Sequence, residues 1–89
     1  MDTSQFEASL KADGYAEIET KTYQPHPANG EHGHHFAVRG LVLDGAFTVI
    51  QDQKSVTYGP GETFAVANGH LHAEAIGPNG ARVLVGRKY

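Results

Sequence analysis

Six histidines and no cysteine set the chemistry open to this 89-residue chain. His32 and His34 stand two apart in His32-Gly33-His34-His35, so in extended backbone both imidazoles leave the same face. His72 lies 38 residues beyond His34 (72 − 34), just after Asn68-Gly69 and at the start of another strand-like segment. Opposed in a barrel wall, two such strands would aim three imidazoles inward. Three His with open positions is the plan of a catalytic rather than a structural metal site, since the free positions can take water, dioxygen or a chelating substrate. The bland alternative is a solvated histidine-rich loop. Glu74, two residues beyond His72, shares its face and could be a fourth ligand, an acceptor for an imidazole N–H, a general base, or a carboxylate in water at a barrel mouth. His35 has the wrong parity and should point outward, His26 between two prolines reads as a solvated loop residue, and His70 reads as a turn residue.

Short elements must position these groups. In residues 2–13, Phe6 and Leu10 are four apart, with Asp2, Thr3 or Ser4 as possible N-caps and Gly14 as a left-handed stop, which predicts a short N-terminal helix. A helix this short is marginal alone, so Phe6 and Leu10 must dock, covering an open end or edge of a sheet. Beyond Gly14, Gly and Asn turns recur and the segments between them favour Val, Ile, Thr, Tyr and Phe. Strands are expected near 15–23, 34–43, 45–51, 54–58, 62–67, 70–76 and 81–88. The breaks between them are residues 25–33 (PHPANGEHG), Asp44-Gly45, Asp52-Gln53, Gly59-Pro60-Gly61, Asn68-Gly69 and Gly77-Pro78-Asn79-Gly80. Short strands without long crossover helices indicate an all-β, antiparallel sandwich or barrel, here one domain over 1–89 with the helix in 1–13 and the barrel in 15–88.

Composition closes other routes. Ten Asp and Glu against seven Lys and Arg give a formal charge of −3, with no basic cluster for phosphate neutralisation, so nucleic acid is not an expected partner. No apolar run approaches the roughly 18 residues of a membrane span, and no signal peptide opens the chain, which predicts a soluble cytoplasmic protein with no membrane partner. Missing cysteines exclude disulfides, iron–sulfur clusters and thiol nucleophiles.

Gly30 through Gly45 (GEHGHHFAVRGLVLDG) and Gly61 through His72 (GETFAVANGHLH) resemble the two motifs of the cupin superfamily. The first motif is HXH, three or four residues, Glu, six residues, Gly; the second is Gly, five residues, Pro-X-Gly, two residues, His. His32 and His34 match the HXH pair, Gly45 its closing glycine, and Gly61, Gly69 and His72 the second motif. The resemblance implies a small jelly-roll β-barrel with a metal held inside by His32, His34 and His72. It also fails at definite places: the motif's metal-binding Glu falls on Val38, its Pro on Ala67 and its final Asn on Ile76. Arg39, next to Val38, should point the other way.

A site of three neutral imidazoles leaves a divalent cation its full charge, which favours an anionic or enolate-forming chelate. Some members of the superfamily use a three-His iron site, so the resemblance implies a dioxygenase-type metalloenzyme acting on a small anionic or diketone-like substrate. The alternatives are a non-catalytic metal or small-molecule sensor module, and a metal that only stabilises a small core. The cofactor would be one divalent transition metal per chain, with iron, zinc, nickel, manganese and copper all open. By parity Phe36 should wall the cavity with Val38, Val42 and Ile76. Strand 15–23 could sit at a sheet edge and pair with a second copy, which predicts a homodimer.

Overall fold

The computed structural model describes residues 2–89; Met1, included in the expected N-terminal segment, lies outside the described residues. A helix, α1 (Thr3–Ala12), precedes five strands: β1 (Ala16–Tyr23), β2 (Ala37–Gln51), β3 (Lys54–Tyr58), β4 (Thr63–Val66) and β5 (Ala73–Lys88). Asp2 caps α1, its side chain accepting from the Gln5 N–H at 2.8 Å, and Gly14 at φ +82° turns the chain away.

All strand pairs are antiparallel, and β2 and β5 run beside each other for most of their lengths. Residues 37–45 of β2 lie between β4 and the C-terminal half of β5, whereas residues 47–51 lie between β3 and the N-terminal half of β5. β1 extends the sheet beyond β5 as its outer strand. The result is a small antiparallel jelly roll in which two long strands serve both walls.

Two expected turns are therefore corrected. Asp44-Gly45 and Gly77-Pro78-Asn79-Gly80 do not separate strands; they are irregularities inside β2 and β5, where the register slips between Val42 and Asp44 and again between Gly45 and Phe47. The seven expected strands become five. The physical reason is a close approach: Gly45 at φ +80° lies so near β5 that a Cβ there would run into the Gly80 carbonyl oxygen. The slip also switches side-chain parity. Leu41 and Leu43 face the helix while Val42, Phe47 and Val49 enter the barrel. A third correction concerns 34–36 and 70–71, which are not strand: β2 starts at Ala37 and β5 at Ala73. Asp52-Gln53, by contrast, forms a two-residue hairpin loop with both residues at positive φ, the geometry that matches strand twist.

The barrel core comprises Val42, Phe47, Val49, Phe64, Val66, Ile76, Ala81, Val83 and Val85. Phe47 and Phe64 stack across it with centroids 4.8 Å apart. A second cluster joins Phe6 and Leu10 of α1 to Leu41 and Leu84. The helix thus covers the outer face of β2 and β5 rather than an end or edge, because Leu41 and Leu84 leave an apolar strip there that only a docked element can bury. Arg39 points to that side as well, donating to Asp13 at 2.7 Å and to Ser9 at 3.0 Å.

Candidate metal centre

The segment that carries His32 and His34 is irregular, yet it is held at close intervals. His26 exchanges backbone hydrogen bonds with Ile76, the Asn29 N–H donates to the Glu74 carbonyl, and His32 exchanges two 2.9 Å bonds with His72. The Gly69 N–H then donates to the His34 carbonyl at 2.8 Å. Residues 26–34 therefore run antiparallel along 69–76 without forming a strand. His26, expected as a free loop residue, is corrected to the first of these anchors; its Nδ1 also lies 2.7 Å from the Pro27 carbonyl.

This pairing brings the three imidazoles together. One ring nitrogen from each of His32, His34 and His72 lies within 4.8 Å of the others, and among the described residues no other group of His, Asp or Glu is arranged to share an ion. His72 is buried, while His32 and His34 are half-buried. Backbone carbonyls orient two of the rings: His32 Nδ1 is 3.0 Å from the Gly30 oxygen and His72 Nδ1 is 3.1 Å from the His70 oxygen. A carbonyl only accepts, so Nδ1 carries a proton in each, and in the neutral ring Nε2 is then the nitrogen with the lone pair, the arrangement that metal-binding histidines use. His34 is stacked on Phe36 with the planes 8° apart. Burial, then the neighbouring His32 and His72, hold the His34 pKa below 6.5, Glu74 opposing and Arg87 adding to the effect. The donor set therefore fits a divalent transition metal: three imidazoles, two of them oriented by backbone carbonyls, at one end of an apolar core.

The rings open on a cavity of about 180 Å³ whose walls include Phe36, Val38, Glu74, Tyr23, Lys21 and Arg87. Glu74 Oε1 stands 3.5 Å from His32 Nε2, outside the cluster of three but against it. Its backbone is fixed by Asn29, whose side-chain oxygen accepts from the Glu74 N–H at 2.8 Å. Val42 and Ile76, expected in the wall, do not line this cavity; both are buried in the barrel core beneath it, Val42 because it lies four residues further along β2 than the cavity residue Val38. His35 is exposed. His70 sits in the turn, its Nε2 3.0 Å from Asp52 Oδ1, and acts on the site only through the carbonyl that orients His72. A larger hollow of about 680 Å³ opens beside β3 and β4, and it includes none of the three clustered histidines.

Tyr23, Lys21 and Arg87 were not anticipated as cavity residues. Alternation could have found Arg87, since Val83 and Val85 face the barrel and Arg87 continues their parity. Burial first, and then Glu74, push the Tyr23 hydroxyl up to about 12, so it faces the cavity as a neutral O–H donor.

No protein-family model and no curated protein matches the sequence. Solved structures do match the backbone. A cupin-2 domain containing protein from Shewanella frigidimarina aligns with TM-score 0.67 at 12% identity, over 81% of this chain and 69% of its own. The EutQ protein of Clostridium difficile aligns at 0.70 and 16%, over 89% and 60%. The polyketide cyclase RemF from Streptomyces resistomycificus aligns at 0.62 and 24%, over 86% and 58%. The fold is that of the cupin superfamily. This chain spans about 58–69% of the length of these three proteins, and its histidine cluster lies where residues 26–34 meet residues 69–76.

Proposed function

We propose that this protein is a mononuclear metal-binding cupin that takes a small anionic or diketone-like molecule at its three-His cluster and carries out dioxygenase-type chemistry on it. The observation that supports the reading best is the gathering of one ring nitrogen from each of His32, His34 and His72 within 4.8 Å, with the Nδ1–H groups of His32 and His72 engaged by the Gly30 and His70 carbonyls and Nε2 left as the nitrogen each neutral ring offers a metal. A divalent metal on these nitrogens would supply Lewis acidity and open positions for a chelating substrate.

The surrounding residues have separate tasks. Glu74 is the carboxylate in the cavity wall, and its Oε1 can take a proton from an acidic C–H or O–H of a bound molecule. Tyr23 donates a hydrogen bond and does not act as a base. Phe36, Val38, Phe64, Val66 and Val85 make the remaining wall apolar and limit water around the reacting group.

The test is the metal content of untagged protein purified without chelator, beside His34→Ala and Glu74→Gln. We expect about one metal per chain in the parent, loss of it in His34→Ala, and retention in Glu74→Gln, because the Glu74 carboxylate stands by Nε2 of His32 and supports no N–H of a ligand ring. Iron-loaded parent should then take up oxygen with a chelating anion or diketone, and Glu74→Gln should slow this. Ligand binding without turnover would replace the enzyme reading with a sensor module. Unfolding on removal of the metal would make the ion structural. No metal after reloading a folded parent would remove the site.

A further inference from the structure

We propose that the molecule bound at the histidine cluster is a small carboxylate, and that Arg87 is the residue that selects it. This rests on the reading of the cluster as a metal site for a chelating ligand. Arg87 and Val38 are directly opposite in the β2–β5 register and both line the cavity. Position 38 is where the cupin-like motif would carry a glutamate, so an apolar side chain faces the guanidinium where a protein carboxylate would otherwise stand.

The guanidinium is held but its donors are not used up. It lies over the Phe36 ring at 4.8 Å from the centroid, and Phe36 in turn stacks on His34. Its acidic neighbour is Glu17, with Nη1 and Oε1 3.6 Å apart, beyond the roughly 2.7–2.9 Å of a charge-assisted hydrogen bond, and the exposed Tyr89 hydroxyl lies against both, leaving the remaining donors of the fork to a guest. Lys21 adds a second cation to the wall, against the single carboxylate of Glu74. A divalent ion on three neutral imidazoles would make the cavity more positive still. An anion is therefore the favoured guest, and a planar fork of donors matches a carboxylate in particular. Size narrows the class: about 180 Å³ is the share of some six water molecules, enough for a short 2-oxo or 2-hydroxy acid that reaches the histidine cluster with one end and Arg87 with the other.

The experiment uses the full chain loaded with zinc, which has no redox chemistry, and titrates it calorimetrically with pyruvate and with 2,3-butanedione, the neutral molecule of similar shape. Pyruvate should bind at least about tenfold more tightly. Arg87→Gln should lose about 10–100-fold of the pyruvate affinity, the range for a charge-assisted hydrogen bond, with zinc content and butanedione affinity unchanged. Arg87→Lys, which keeps an aliphatic stem over Phe36, should fall in between and controls for folding. Val38→Glu should also weaken pyruvate, because it places a carboxylate opposite Arg87. Unchanged pyruvate affinity in Arg87→Gln, or no binding of pyruvate, glycolate or oxalate by the parent, would overturn the proposal. If zinc fails to load, the metal reading fails separately, and the same titrations on the metal-free chain decide whether Arg87 binds the anion.

Discussion

His34 links the chemistry of the site to the stability of the fold. Its imidazole is held below 6.5 by burial and by His32 and His72, so the folded chain resists protonating it at a pH where the unfolded chain already has. Between those two pKa values the unfolded state binds more protons, and stability falls as pH falls. The contribution of His34 is complete above about 6.5 and is lost as pH drops through the folded value. In the metal-free protein we expect the His34 ring proton to titrate below 6.5 by NMR, and the urea midpoint to fall between about pH 7 and pH 5 by more than it does in His34→Gln. A His34 midpoint at or above 6.5 would refute this. The same shift keeps the His34 lone pair available to a cation under mildly acidic conditions, so the burial that disfavours imidazolium also favours metal binding.

At the scale of elements, the two bulges decide which residues face the site. Gly45 has φ +80° and no room, with the Gly80 oxygen 2.0 Å from where a Cβ would stand, whereas Gly61 at φ +86° has open space around it. Gly45→Ala should therefore cost more than about 3 kcal/mol, adding a backbone clash to the left-handed penalty, while Gly61→Ala should cost about 1–2 kcal/mol. Urea denaturation compares the two, and equal losses would show that the bulge yields easily. These positions also mark how far the sequence was legible. The helix, with Asp2 among its three possible caps, and the hairpin at Asp52-Gln53 followed from local pattern, whereas the convergence of His32, His34 and His72 rested on the resemblance of two motifs in register. Whether Asp44-Gly45 and Gly77-Gly80 end strands or bend them followed from neither, because positive φ suits both outcomes and the deciding contact joins residues 35 positions apart (80 − 45). His26 was missed for a related reason: its anchor to Ile76 uses backbone atoms, which leave no trace in residue type.

For the molecule as a whole, the question is what meets its unpaired strand edge. β1 pairs with β5 on one side and has no strand on the other among the described residues. An edge of this kind is a template for pairing unless charge or a bulge blunts it, and β1 carries both devices near its start. Glu17 sits at φ +50° where the register slips between Ala16 and Glu19. Beyond that slip, Glu19 through Tyr23 keep regular register with β5, so the C-terminal part of β1 is the part open to a second copy. We expect two-fold pairing there, which would join the two sheets edge to edge and leave the histidine clusters of both copies at separate cavities. Light scattering at high micromolar concentration should report twice the chain mass, and Thr22→Pro, which removes a β1 N–H, should return the protein to monomer without unfolding it if that N–H lies on the free edge. The register with β5 places residue 22 opposite Arg82, so loss of the fold in this variant would instead show that the N–H serves the β1–β5 ladder; Lys21→Pro then probes the neighbouring N–H, which points to the other side of the strand. A monomeric mass for the parent at that concentration would refute the dimer outright.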